Sequence, residues 1–362
     1  MPLNEKNIYV AILAGGVGSR FWPASREARP KQFLDILGIG KSLIQLTYER
    51  FLKLTVKENI FVVTNKIYRD LVKEHLPDLT DNQILGEPSR NNTAPCIAYT
   101  ALKLTHLNPE ANLVVAPSDH IILDDTNFIA TLKTGLQFTA QNDALLTLGI
   151  QPTRPDTGYG YIRYQAEGDG NVKKVLQFTE KPILEKAKAF LESGEYLWNA
   201  GIFVWKTKNL LSAFQRYASD ITSVLEKGTK EYNTPEEQAF IDEFYPQTPS
   251  ISIDFAIMEK ADNIYTIPSS FGWSDLGTWK SLFVESPKDE ADNVVKADKA
   301  ILNNCSSNII RLPKGKLLVA KGLEDYIIID EGDVLLIYPK TEEQQIKKVT
   351  ATIKEQFGKE FS

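Results

Sequence analysis

Short β-branched runs alternate with longer helical patterns through the first 150 residues, and no other feature limits the fold as strongly. Strands are expected at 8–13, 59–64, 83–85, 112–116 and 144–149, and helices at 41–54, 66–76, 94–107 and 128–139. Strands that alternate with helices build βαβ units, and those units need a parallel sheet covered on both faces. The unbroken apolar run Leu113, Val114, Val115, Ala116 fits a central strand buried on both sides. The expected class is therefore α/β, with a Rossmann-like, mostly parallel, twisted sheet.

Further along the pattern is mixed. Strands are expected at 159–164 and 172–179, separated by a turn at 167–170. A helix at 184–191 stops at Gly194, a short strand follows at 201–205, and helices are expected at 208–217, 235–244 and 253–260. The character changes at Ser286, Pro287, Lys288, Asp289 and Glu290. Beyond it come short strands at 300–302, 308–312, 316–320, 326–330 and 334–338, then a polar helix at 341–357. We place a domain boundary near residue 285, giving a first domain 1–285 and a β-rich tail 286–362. The even spacing of the tail strands suits a small β-solenoid or β-sheet domain.

Composition argues against several classes of function. The chain has 362 residues, with 41 basic and 47 acidic side chains and a net charge of −6. With no basic block, it is a poor candidate for general binding to nucleic acid or to an anionic membrane. No window approaches ~18 consecutive apolar residues, so no membrane span is expected. The N-terminus has no basic region ahead of its apolar run and does not read as a signal peptide. Cys96 and Cys305 are far apart, and only three histidines (His75, His106, His120) are present. Neither a disulfide framework nor a zinc or multi-histidine centre fits, and a cytoplasmic location is expected.

Directly after the first strand comes a glycine loop, Ala14-Gly15-Gly16-Val17-Gly18-Ser19-Arg20-Phe21-Trp22-Pro23. Glycines allow tight turns, and exposed N–H groups in such a loop form an anion nest. A dinucleotide fingerprint beginning at Gly16 would need glycine where Phe21 stands, and a Walker loop ending at Lys41-Ser42 would need glycine where Asp35 stands. Arg20, Arg26, Arg29 and Lys31 crowd the same segment, stiffened by Pro23 and Pro30. A stiff basic loop of this kind suits a nucleoside triphosphate. Taken alone, it could equally be a glycine turn with solvated charges.

The loop does not stand alone. Leu13 to Phe33 resembles the signature of nucleotidyltransferases that act on sugar 1-phosphates, and its Phe-Trp-Pro and Pro-Lys-Gln-Phe elements resemble the mannose-1-phosphate guanylyltransferase branch. Seven further blocks follow in family order. They are Gly86-Glu87-Pro88-Ser89-Arg90-Asn91-Asn92-Thr93-Ala94-Pro95, Ala116-Pro117-Ser118-Asp119-His120, Gly158-Tyr159-Gly160-Tyr161-Ile162, Phe178-Thr179-Glu180-Lys181-Pro182, Trp198-Asn199-Ala200-Gly201-Ile202-Phe203, the stretch from Ser252 to Lys260, and the stretch from Gly272 to Trp279. Two positions depart from the pattern: Asn91 stands where relatives often carry a basic residue, and Ala200 where serine is common. The longer bifunctional relatives carry a fused phosphomannose isomerase barrel, and this chain resembles the short, single-activity form.

The resemblance implies a reaction of GTP with α-D-mannose 1-phosphate, giving GDP-mannose and pyrophosphate. The nucleophile is already an anion, so the protein must position two polyanions and offset their repulsion. Asp119 and Asp275 are implied ligands of a divalent ion, Mg²⁺, whose hard oxygen coordination suits carboxylates and phosphates. Each aspartate alone would read as a helix cap or a turn, and His120 as a packing residue. Arg20 is assigned to the β- and γ-phosphates and Lys31 to charge growing around the α-phosphorus; Arg26 and Arg29 read as solvated or interfacial. Nucleotide contacts fall on Leu13, Ala14, Gly15, Gly16, Gly18, Glu87, Pro88, Asn92, Thr93, Ala94 and Ser118. Sugar-phosphate contacts fall on Gly160, Glu180, Lys181 and Asn199. Trp198, Trp273 and Trp279 are open between stacking on the hexose and plain packing. The resemblance also implies that the tail is a partial left-handed β-helix used for self-association as a homodimer. Two alternatives remain: a nucleotidyltransferase for another sugar 1-phosphate such as glucose, fucose or a heptose, and a catalytically silent subunit that binds a nucleotide sugar.

Overall fold

The computed structural model describes residues 4–167 and 170–361, so the turn expected at 167–170 lies in part outside the described residues. The chain divides into two compact units. The first comprises Met1–Gly15, Thr47–Ser118 and Ile122–Trp273; the second comprises Gly16–Leu46, Asp119–Ile121 and Ser274–Ser362.

The first unit is built on a nine-stranded sheet. Its strands are β1 (Ile8–Leu13), β2 (Ile60–Asn65), β3 (Ile84–Glu87), β4 (Asn112–Pro117), β5 (Leu145–Ile150), β6 (Tyr161–Tyr164), β7 (Lys173–Thr179), β8 (Tyr196–Lys206) and β9 (Ile264–Ser269). They lie in the order β3-β2-β1-β4-β8-β5-β9-β7-β6. The first four are mutually parallel. Leu113 to Ala116 of β4 are all buried, as expected of a central strand. The sheet then departs from the mostly parallel expectation and is mixed, because β8 pairs antiparallel with both β4 and β5, and β7 pairs antiparallel with β6 and β9.

β8 also corrects the short strand expected at 201–205. It runs through Gly201, whose φ is 66°, and its register against β5 shifts between Thr147 and Gly149. The glycine that read as a strand end is one of the residues that let the bulge form. β9 was not expected at all. It contains Pro268, but on the β7 side the ladder covers only Tyr265 and Thr266, so the missing N–H breaks no bond on that side.

Helix Thr93–Leu107 begins at Asn92, whose side chain accepts from Thr93 N. Every residue from Ala94 to Leu104 is buried. Its buried Lys103 pairs with Glu237 at 2.6 Å, and Tyr99 donates to the same carboxylate at 2.6 Å.

The second unit holds six short strands: β10 (Val294–Lys296), β11 (Lys299–Asn303), β12 (Ile309–Arg311), β13 (Leu317–Lys321), β14 (Tyr326–Asp330) and β15 (Leu335–Pro339). β10, β12 and β14 stack in parallel, as do β11 and β13, while β15 closes antiparallel on β14. Asn293 and Asn308 are buried at matching corners. Asn308 Nδ2 donates to Asn293 Oδ1 at 2.9 Å, and Tyr326 N donates to Asn308 Oδ1 at 2.9 Å. This ladder satisfies side-chain amides that burial would otherwise leave costly.

The unit is wider than the tail expected from residue 286. Its core joins Val294, Ile309, Ile327 and Ile329 to Phe21, Trp22, Trp279, Leu282 and Ile346. Phe21 and Trp279 meet with ring centroids 4.8 Å apart, and Trp279 Nε1 donates to the Trp22 carbonyl at 3.2 Å. Large aromatics from 16–46 thus draw that segment into the second unit. The terminal helix is shorter than expected, Ile346–Phe357, preceded by a 3-10 segment Lys340–Gln345. No helix among the described residues is long and apolar enough to cross a membrane.

Candidate active site

In the second unit the glycine loop is shaped around one lysine. Gly18 has φ 73°, and a Cβ there would fall 2.5 Å from Lys31 Cβ, so only glycine fits without displacement. Lys31 N donates to the Val17 carbonyl at 3.2 Å, which folds the loop back on itself. The Lys31 side chain is 3% exposed. Its ammonium reaches Asp119 Oδ2 at 3.0 Å and the Asp275 carbonyl at 2.9 Å, and lies 5.3 Å from the centre of the Phe21 ring. Three residues from three distant blocks therefore converge. Burial by itself would push the Asp119 carboxyl up; the Lys31 charge, His120 and the hydrogen bond outweigh it and hold the group below the ordinary carboxylate range. Asp275 Oδ1 accepts from Gly277 N at 3.0 Å, and a Cβ on Gly277 would lie 2.7 Å from Asp275 Oδ2.

Other cations of the loop separate from this group. Arg20 is exposed on the turn Ser19–Phe21, as is Gly16 ahead of it. Arg29 is exposed as well. Arg26 forms a two-pronged pair with Asp333 at 2.6 and 2.7 Å. Trp279, open between stacking and packing, is fully buried in the core of this unit.

In the first unit, the carboxyl end of β1 is tied down by its backbone. Ala14 N donates to the Val63 carbonyl at 2.7 Å, Thr64 Oγ1 donates to the Ala14 carbonyl at 2.8 Å, and Ser118 N donates to the Leu13 carbonyl at 3.0 Å. Glu87 ends β3 and is 7% exposed. A Cβ on Gly15 would sit 3.6 Å from Glu87 Oε2, so the acid lies against the start of the glycine loop. Tyr245 donates its phenol to Glu87 Oε1. Burial pushes the Glu87 carboxyl up to about 7, and the Tyr245 hydrogen bond opposes the rise. Pro88 follows directly. The polar groups of Asn92 and Thr93 are engaged in the fold: Asn92 caps the helix, and Thr93 Oγ1 accepts from Ile253 N at 2.9 Å. Ala94 is buried, with its N–H on the Ile251 carbonyl at 3.1 Å.

A second cluster in this unit gathers the residues assigned to the sugar phosphate. Lys181 reaches Glu180 Oε1 at 2.5 Å, and Asn199 N donates to the Gly160 carbonyl at 2.8 Å. A Cβ on Gly160 would fall 2.6 Å from Glu180 Oε2. Asn199 Oδ1 accepts from Thr147 Oγ1 at 2.7 Å and from Gly201 N at 3.2 Å, while its Nδ2 donates to Asp254 at 3.0 Å. Tyr159 packs edge-on against Trp198 and Trp273 with centroids 5.0 and 5.3 Å apart.

Known proteins resemble the chain along most of its length. Residues 9–292 match the family described as Nucleotidyl transferase. The chain belongs to that family. A mannose-1-phosphate guanylyltransferase of Salmonella montevideo is 37% identical over 352 residues, covering 95% of this chain and 73% of that protein. The alginate biosynthesis protein AlgA of Pseudomonas syringae pv. tomato is 36% identical over 353 residues, covering 95% and 71%. A crystal structure from Thermus thermophilus, described as a mannose-1-phosphate geranyltransferase, superposes with a TM-score of 0.86 at 28% identity, covering 96% of this chain and 99% of that one.

Within this nucleotidyl transferase, two residues escaped the sequence reading. Asp254 begins the helical turn Asp254–Met258 and touches Asn199. Burial, then repulsion from Glu180, push its carboxyl up to about 7 against the pull of Lys181. It stood inside a recognised block, but an acid opening a helical stretch reads as a cap. Tyr245 carried no signal: an aromatic in a helical stretch reads as core, and its partner lies 158 residues away.

Proposed function

We propose that this nucleotidyl transferase transfers GMP from GTP to α-D-mannose 1-phosphate, releasing pyrophosphate. A phosphate oxygen of the sugar phosphate forms a new bond to the α-phosphorus. The bond from that phosphorus to the oxygen bridging to the β-phosphate breaks, and its electrons leave with pyrophosphate. The observation that carries this reading is the Lys31 ammonium set between Asp119 and the Asp275 carbonyl, in a chain that aligns along 95% of its length with a guanylyltransferase.

Asp119 and Asp275 fit Mg²⁺. Both are hard oxygen donors: the Asp119 carboxylate accepts from Lys31, the Asp275 carboxylate accepts from Gly277 N, and Lys31 also donates to the Asp275 backbone carbonyl. A magnesium ion commonly takes one or two carboxylates and completes its shell with phosphates and water. When bound, the ion would draw charge from phosphate oxygens. Lys31 offsets charge growing at the α-phosphorus, and Arg20, exposed in the same unit, meets the outer phosphates. In the first unit, the carboxylate of Glu87 accepts from the N1–H and N2 amino edge of guanine, donors that adenine does not present there. Glu180, Lys181 and Asn199 bind the sugar hydroxyls and phosphate, and Gly160 leaves the space they need.

The parallel stacks of the second unit suit a partial β-helix; its left hand, the association of two copies through it and a cytoplasmic location rest on the family resemblance. The deciding experiment measures pyrophosphate release with mannose 1-phosphate and each of the four nucleoside triphosphates, with and without Mg²⁺. Release with GTP and Mg²⁺ alone is expected. Equal or faster release with glucose 1-phosphate, or none with any nucleotide, overturns the assignment.

A further inference from the structure

Glu87 is an unusual acid in its surroundings. It is nearly buried, yet among the described residues no lysine or arginine pairs with it. Its one neutral anchor is the Tyr245 phenol. The other titratable side chain that feels it is the buried thiol of Cys96, which burial and the Glu87 charge push up, and which is therefore uncharged. Ionising a buried carboxyl without a cation is costly, so an acid of purely structural use would be paired.

Tyr245 is itself held from several directions. It is 0% exposed. Its carbonyl accepts from Asn91 Nδ2 at 3.1 Å, from Thr248 N at 3.0 Å and from Thr248 Oγ1 at 2.8 Å. Asn91 Nδ2 also donates to the Thr248 carbonyl at 2.9 Å. Asn91, the position where relatives often carry a basic residue, thus clamps the turn that carries the phenol. The phenol in turn fixes the rotation of the Glu87 carboxylate, leaving Oε2 directed along the bare Gly15 backbone.

We propose that Tyr245 is the positioning residue that aims the Glu87 carboxylate at the guanine edge and so sets the preference for guanine. This rests on the reading of Glu87 given above. A carboxylate can accept two parallel donors only when its plane is fixed, and a donor on Oε1 fixes it. The same hydrogen bond favours the ionised acid, which is the form that accepts.

The test is the Tyr245→Phe variant of the full chain, which keeps the ring and its packing. The KM for GTP is expected to rise roughly 3- to 10-fold, the worth of one hydrogen bond, with kcat and the KM for mannose 1-phosphate within twofold of wild type. The acid limb of kcat/KM for GTP, expected near pH 7, should move to higher pH, because the bond that lowered the Glu87 pKa is gone. Discrimination between GTP and inosine triphosphate, which lacks the N2 amino group, should shrink. An unmoved acid limb together with an unchanged KM for GTP overturns the proposal. If the variant melts well below wild type, the same constants are measured at a temperature where both proteins are folded by circular dichroism, and the absence there of the KM rise and of the shift of the limb overturns the proposal. If the wild-type chain neither makes GDP-mannose nor prefers GTP, the functional reading fails and this proposal with it, whereas normal wild-type synthesis with an unmoved KM and limb in the variant overturns the proposal alone.

Discussion

Each unit holds a carboxyl from an ordered block of the sequence, Glu87 in the first and Asp119 in the second, and their surroundings tune them in opposite directions. Glu87 in the first unit is buried against a phenol and a bare glycine, and its carboxyl is pushed up to about 7. Asp119 in the second unit is held below the ordinary range, burial being outweighed by the Lys31 ammonium. The contrast shows what each acid is suited to meet. A carboxylate beside a lysine stays charged at ordinary working pH and suits a cation, while the lysine suits phosphate oxygens. One without a cation gains most when a ligand brings hydrogen-bond donors, so it suits a neutral base edge.

The largest effect should come from the second unit. Lys31→Ala removes the ammonium that pairs with the Asp119 carboxylate and should lower kcat roughly 10²–10³-fold, the usual scale for one preorganised transition-state donor, while circular dichroism stays native. Near-normal turnover would remove Lys31 from the chemistry and leave Asp119 with a structural ion pair.

Next comes Glu87→Gln in the first unit. It replaces a charged acceptor by an amide, so kcat/KM for GTP should fall about 10- to 10²-fold, the range for a hydrogen bond to a charged group. The acid limb near pH 7 should vanish with it. A limb that survives in the variant belongs to another group, and the contrast between the two acids would lose its first member.

The same substitution should act oppositely on stability. A carboxyl whose folded pKa lies above its ordinary 4.5 holds its proton more tightly in the folded state. The stability it contributes is full below 4.5 and is lost as pH rises through about 7. Without nucleotide, Glu87→Gln should therefore be more stable than wild type at pH 8 by roughly 1–3 kcal/mol, and nearly equal to it at pH 5. Paired chemical denaturation at the two pH values measures this, and a variant less stable at pH 8 would show that the acid is not strained there.

The smallest effect is expected at Arg26. Its pair with the half-exposed Asp333 should contribute less than about 1 kcal/mol, so Arg26→Ala should leave turnover unchanged and shift the melting temperature only slightly. A large loss of turnover would mean that the loop needs all its cations and that Lys31 is not special among them.

Much of this was legible beforehand. β1 and β14 fall on their expected ranges, and β2 to β5 and helix Thr93–Leu107 lie within two residues of theirs, because alternating periods and caps are local signals. Two expectations changed where local meaning was cancelled by remote packing: Gly201 lies inside a long strand, and aromatics of 16–46 with Trp279 widen the second unit beyond a boundary near 285. Site residues divided the same way. Lys31, Asp119 and Asp275 were marked by ordered blocks; Asp254 stood in one too but reads there as a helix cap, and Tyr245 lies in none.

What the sequence determined by itself was the class of fold, the family, and the set of polar residues from which a site could be assembled, since these follow from composition, period and ordered motifs. Tertiary structure alone decided how those residues are tuned. The Lys31 ammonium meets the carbonyl of a residue 244 positions away, and Glu87 meets Tyr245 158 positions away. Charge state depends on burial and on the distance to the nearest opposite charge or donor, and both are set only when remote segments pack together.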